Sequence, residues 1–152
     1  MQTALLDDND GLRTWAVVFA TGEEAKAGLT EWATQAEVTA AQLTGIGAFE
    51  SATLGWYDLD AKTYRDIDVS TQVEVLTLAG DISLSPKGEQ FVHMHVTCAR
   101  RDGATIGGHV QEATVRPTLE VVVTEVPSRL RRRHDEASGL ALLDLGEAAT
   151  GP

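Results

Sequence analysis

FVHMHVTCARRDGATIGGHVQ, residues 91–111, holds three of the chain's four histidines, its only cysteine and a Gly-Gly pair. It reads as two strands, about 90–100 and 104–112, joined through Asp102-Gly103, a dipeptide that favours tight turns. Side chains alternate along a strand, so His93 and His95 leave the same face of a sheet. A two-residue loop at Asp102-Gly103 would set His109 opposite Val96, on the wrong face. One extra residue in one strand brings His109 opposite His95 instead. Gly107-Gly108, directly before His109, is the expected place for such a bulge, because bulges commonly use glycine and re-aim the next side chain. In that register the Cβ atoms of His95 and His109 lie roughly 4.5 to 5.5 Å apart, and three imidazoles share a face.

Three imidazoles converging from a hairpin are what an open metal site needs, with a fourth position left for water or substrate. Imidazole ligands suit zinc, although nickel, copper and iron take them too. Zinc there would polarise a carbonyl or phosphoryl oxygen, or lower the pKa of bound water to about 7. The spacing alone leaves a second reading open, in which His93 and His95 form the polar face of an amphipathic strand and His109 sits in a loop. Cys98 falls one residue off the histidine parity and reads as a small buried hydrophobe rather than a nucleophile.

Working outward, LRTWAVVFAT (12–21) is strand-like. Thr21 and Glu24 have capping-box spacing, and Ala25, Leu29, Trp32, Ala33 and Ala36 follow at helical spacing, which predicts a helix over about 22–36 packed on the sheet. Strands are expected near 38–44 and 48–58, then a turn at Asp58–Lys62, a strand through KTYRDIDVS, and another run over 73–85 that ends at Ser85-Pro86-Lys87-Gly88. TLEVVVTE (118–125) is the most strand-like segment of the chain and should lie inside the sheet. A short last strand is expected at 140–145. Trp15, Trp32 and Trp56 all read as core residues.

Glu120 interrupts the apolar run 118–125. It is the candidate catalytic acid or base, or an acceptor behind a ligand histidine, unless it faces solvent. Glu74 in VEVLTL carries the same ambiguity. Gly45-Ile46-Gly47 lacks the lysine and the strand-to-helix crossover of a phosphate loop, so nucleotide binding is rejected.

Hydrophobic content of 43% and charged content of 23% are those of an ordinary globular chain, and 152 residues make one domain. No apolar run reaches the roughly 20 residues of a membrane span, and the start MQTALLDDND lacks a signal-peptide layout, which places the protein in the cytoplasm. A lone cysteine fits a reducing compartment. A formal net charge of −11 opposes a phosphate backbone, so nucleic acid is not the expected partner. The basic cluster SRLRRRH, ending at His134, reads as a solvated loop or ion-paired face. Residues 1–11 are expected to be a flexible start, 12–145 the domain, and 146–152 a flexible tail.

The succession LTGIGAFESATLGWYD, EVLTLAGDISL, HMHVTCARRDGATIGGHV and TLEVVVTE resembles the plants-and-prokaryotes-conserved (PPC) domain family, in order and over about residues 12–145. The resemblance implies a single α+β domain: a strongly bent, mixed, mainly antiparallel β-sheet with one main helix, usually a homotrimer. It also implies a metal, usually zinc, on His93, His95 and His109. Plant members reach DNA through a separate basic hook of the R-G-R-P type, which this chain lacks. A more distant likeness to acetolactate decarboxylase, which also holds zinc on an H-x-H plus a further histidine, rests on fold and motif alone. The function expected from this is a trimeric metal protein that binds a small anionic or carbonyl ligand, with lyase or hydrolase chemistry in which Glu120 is the acid or base. The alternative is a non-enzymatic regulatory or protein-interaction module.

Overall fold

The computed structural model describes residues 1–127 and 129–146. Nine strands and one helix follow in the order β1 (Gln2–Asn9), β2 (Leu12–Ala20), α1 (Ala25–Gln35), β3 (Ala41–Asp58), β4 (Thr63–Val69), β5 (Val73–Leu84), β6 (Gln90–Ala99), β7 (Thr105–Glu125), β8 (Arg131–Asp135) and β9 (Leu140–Asp144). All belong to one sheet of order β1-β2-β7-β3-β5-β8-β9, with β4 added to β3. β6 pairs with both β5 and β7, so β7, β3, β5 and β6 close into a ring. Every pairing is antiparallel except the contact of β5 with β8, which makes the sheet mixed. The bent α+β sheet with a single helix agrees with the sequence reading.

The bend comes from two long strands. β3 runs unbroken through Gly45 and Gly47, where separate strands are expected from the sequence, and β7 runs from Thr105 to Glu125. Their ladder shifts register at three places, between Gly47 and Phe49, between Phe49 and Ser51, and between Thr53 and Leu54. Each shift adds local twist, which lets a single pair of strands serve two walls of the ring.

The core fills the inside of that ring and the space beneath α1. Phe19, Leu29, Leu43, Phe49, Leu54, Leu78, Ile82, Met94 and Leu119 are the largest of its fully buried side chains. Each such residue contributes about 1.5–3 kcal/mol of transfer free energy. On α1 the buried positions are Ala25, Leu29, Trp32 and Ala33, the stripe predicted by the helical period. The helix start differs from the expected capping box. Glu24 is itself the cap, its carboxylate accepting from the Lys26 and Ala27 amides and also from the Ala113 amide of β7, while the Thr21 hydroxyl donates to the Pro117 carbonyl. One side chain thus starts the helix and ties it to the sheet.

Several expectations are corrected. The flexible start over 1–11 is instead β1, a strand paired with β2 through Asp10 and Gly11. Both turn residues take positive φ, 51° and 84°, the backbone of a two-residue hairpin turn, and Asp8 Oδ1 accepts from the Gly11 amide. Strand structure therefore begins ten residues before the boundary expected at 12. The tail expected over 146–152 lies, from residue 147 onward, outside the described residues. Trp15 and Trp32 meet edge to face at 5.7 Å in and beside the core, but Trp56 is 58% exposed. Of the two forms expected for the basic cluster, the ion-paired face is the one found rather than the solvated loop: residues 131–135 form β8, with Arg133 paired to Asp144 and Arg132 turned inward, buried and paired to Asp81. Among the described residues no helix is long and apolar enough to cross a membrane.

Candidate metal centre

β6 and β7 form the expected hairpin, and their register sets His95 opposite His109. The extra residue that makes this possible sits in the turn, not at Gly107-Gly108. The Gly103 amide donates to the Arg100 carbonyl and the Arg100 amide to that of Ala104, with Gly103 at φ 83°, so residues 101–103 form a three-residue loop beyond the Arg100–Ala104 pair. The two glycines serve close approach instead. A Cβ on Gly107 would lie 2.5 Å from the Val96 carbonyl oxygen, and one on Gly108 would lie 2.9 Å from that of Gly55. His109 reaches the cluster because its strand is squeezed between β6 and β3.

His93, His95 and His109 each offer a ring nitrogen, and these nitrogens lie within 4.8 Å of one another. The His93 and His95 Nε2 atoms are 3.1 Å apart. Bonds of about 2.0–2.1 Å at tetrahedral angles hold ligand nitrogens roughly 3.3 Å apart, so the pair has the spacing of two ligands on one ion. The Nδ1 of His109 is buried and has no hydrogen-bond partner among the described residues. A buried imidazole with an unsatisfied nitrogen is costly unless another group completes it, and a cation does so.

The protonation states suit ligation. Burial, reinforced by Lys26, the other two histidines and Arg132, pushes His109 down to about 4. Burial and the charge of His93 also lower His95. Both rings are therefore neutral near pH 7, the form that binds metals.

Around the histidines stand residues that the sequence reading missed. Asp81, half-buried on β5, lies with Oδ2 3.2 Å from His93 Nδ1. Burial alone would raise its carboxyl, but the hydrogen bonds from His93 and Arg132 prevail and hold it below the usual range. Arg132 Nη2 donates to both Asp81 oxygens at 2.8 Å, and its Nε donates to Ser83 Oγ at 2.9 Å. On the other side the Tyr64 ring stacks on His109 at 4.9 Å and 24°, over the space left by Gly55, and Tyr57 packs edge-on against Tyr64. The Tyr57 hydroxyl donates to the Ser138 carbonyl at 2.7 Å, so the β8–β9 hairpin touches both flanks of the site. A signal for the Asp81 contact did exist in the sequence: a carboxylate inside the apolar run VEVLTLAGDISL calls for a cation.

The structure does not bring Glu120 to the histidines. It lies exposed on β7, between Val18 of β2 and Ile46 of β3, roughly 35 Å of strand path beyond His109 at about 3.3 Å per residue. Glu74 is likewise exposed, paired with Ala48 and Ala99. Cys98 is buried, and burial pushes its thiol up to about 11, as a core residue would be.

With this geometry in view, comparisons with known proteins are specific. The Plants and Prokaryotes Conserved (PCC) domain family matches residues 7–127. A solved PPC protein of Pyrococcus horikoshii superimposes with a TM-score of 0.82 at 29% identity, covering 88% of this chain and 92% of that one. The protein AF0104 of Archaeoglobus fulgidus, described as metal-containing, gives a TM-score of 0.79 at 30% identity over 86% of this chain and 91% of its own. The bifunctional protein GlmU of a Synechococcus strain is 31% identical over 144 residues, 93% of this chain but only 21% of that protein. The chain thus spans about a fifth of the length of that curated relative. Alpha-acetolactate decarboxylase of Bacillus subtilis shares the fold alone, with a TM-score of 0.54 at 15% identity over 85% of this chain and 59% of its own.

Proposed function

The chain belongs to the Plants and Prokaryotes Conserved domain family, and on that premise we propose that it is a zinc protein whose His93, His95 and His109 hold the ion and whose open side receives a small anionic or carbonyl ligand. The observation that carries this is the pair of Nε2 atoms 3.1 Å apart in a cluster where one ring nitrogen of each of the three histidines lies within 4.8 Å of the others. The description of the Archaeoglobus fulgidus relative as metal-containing supports it. Bound there, zinc would supply Lewis-acid polarisation of the ligand's oxygen, the basis of lyase or hydrolase chemistry. Three neutral ligands leave its charge uncompensated, which favours an anion. The chain's own residues fix the rings: Asp81 accepts the hydrogen bond of His93 Nδ1–H, and Tyr64 covers one face of His109.

Elemental analysis of protein purified without a metal-affinity tag tests the reading. About one zinc per chain is expected, and the triple change His93→Ala, His95→Ala, His109→Ala should abolish it. Wild type that is folded and free of metal sinks the proposal.

We further propose that three copies associate through the exposed apolar face of β2, β7, β3 and β5, where Ile46 is 61%, Leu76 50% and Val122 42% exposed. One observation favours a binding or regulatory role over turnover. With Glu120 remote and Asp81 engaged by Arg132, no free carboxylate stands among the described residues that contact the histidines. The charge of −11 argues against duplex DNA as the partner and fits a cytoplasmic protein of small-molecule or protein partners.

A further inference from the structure

The β8–β9 hairpin follows the span matched by the family, which ends at residue 127. From it Arg132, only 8% exposed, enters the site from behind. Its Nη2 spans both Asp81 oxygens, Nε bonds Ser83, Nη1 donates to the Ala141 carbonyl at 2.9 Å, and its carbon lies 5.0 Å above the Phe91 ring. Ser83 Oγ in turn donates to Asp81 Oδ1 at 3.0 Å. The carboxylate is therefore gripped from two sides, and Oδ2 is left facing His93 Nδ1.

That nitrogen has two suitors. Asp81 Oδ2 and Arg132 Nη2 each lie 3.2 Å from it. If Nδ1 accepts from the guanidinium, the ring proton moves to Nε2 and the ligand atom is blocked. If Nδ1 donates to the carboxylate, Nε2 carries the lone pair an ion needs. Arg132 already spends its Nη2 hydrogens on the two oxygens of Asp81, which favours the second arrangement.

We propose that Arg132 is a positioning residue for the histidine centre: it orients Asp81 so that His93 carries its proton on Nδ1 and presents Nε2 to the metal. This rests on the metal reading above. The C-terminal hairpin is then a working part of the site, because it is the element that delivers the arginine.

A simple charge effect predicts the opposite sign. A guanidinium a few ångströms from a bound dication repels it, so its removal should tighten binding. A positioning role predicts weaker binding. The test combines two readouts on the full chain. First, ¹⁵N imidazole NMR of metal-free wild type should show His93 protonated at Nδ1; protonation at Nε2 overturns the proposal. Secondly, Zn²⁺ affinity is measured by competition with a chromophoric chelator. Arg132→Gln should lose about ten-fold, Asp81→Asn about ten- to a hundred-fold, and the double variant no more than Asp81→Asn alone, because Arg132 acts through Asp81. Losses that multiply, or an affinity that rises in Arg132→Gln, overturn it. Arg132→Lys keeps a buried cation without the fork; it should fold even if the glutamine variant does not, and should still bind Zn²⁺ more weakly than wild type. If wild type takes up no Zn²⁺, the proposed function fails, while the tautomer of His93 in the metal-free protein still decides the role of Arg132.

Discussion

The two ends of β7 present opposite solutions to the same pattern. At its start the strand is pressed between β6 and β3, and His109 is buried among two other histidines, Tyr64 and the Asp81–Arg132 pair. At its far end it lies between β2 and β3, and Glu120 and Val122 point outward beside Ile46 and Leu76. Both ends alternate with the period of a strand. What differs is whether a third element covers the outward row. The first end has become a polar centre, and the second is an apolar face that no described element of the chain covers. The lesson is that chemistry on this sheet follows close packing of backbone, not the position of the isolated carboxylate in the apolar strand.

The largest effect that could break this contrast concerns the cost of burying His109. In the metal-free fold it titrates at about 4, against 6.5 in the unfolded chain. The unfolded chain binds more protons between those values, so the stability contributed by the neutral ring is fully present above pH 6.5 and is lost as pH falls toward 4. The shift corresponds to about 3 kcal/mol. Urea unfolding of chelator-treated protein should lose about that much across the window. His109→Gln should remove most of the slope, and an unchanged slope in the variant would mean that the centre is not the acid-sensitive end of the strand.

Much of that centre was legible from residues 91–111. The alternation of His93 and His95 and the need for one extra residue to bring in His109 follow from strand geometry, and the register came out as required. The location of the extra residue did not, because Gly107-Gly108 carries the signal of a bulge equally well whether it bends the strand or admits neighbouring backbone. Arg132 was beyond reach for another reason. A run of arginines contains no periodic cue to which one turns inward, and its partner Asp81 is 51 residues away. Where Glu120 would stand was not legible either, because a carboxylate in an apolar strand carries no sign of which strands flank it.

A middling effect is expected at the other end. Ile46 is exposed on the row that joins Val18, Glu120 and Leu76. Ile46→Asp should leave the protomer's stability within about 0.5 kcal/mol, as for other exposed positions. Light scattering should nevertheless report a smaller particle than wild type, since the charge would be buried wherever copies meet on this face. Zinc content should not change. A variant that still assembles places the contact between copies elsewhere, and one that loses zinc as well shows that the two ends of β7 are coupled.

The smallest effect is the most discriminating for the carboxylate that the sequence singled out. The Glu120 side chain makes no hydrogen bond among the described residues, is exposed, and is separated from His109 by roughly 35 Å of strand path at about 3.3 Å per residue. Water screens the charge of such an exposed carboxylate, the Debye length being about 8 Å at physiological ionic strength. Glu120→Gln should therefore change Zn²⁺ affinity by less than about two-fold and stability by less than about 0.5 kcal/mol. A ten-fold change in affinity is not expected of an exposed charge with no side-chain contact to the histidines. It would require Glu120 of one copy to stand beside the histidines of another, and the apolar face and the metal centre would then be two halves of one site.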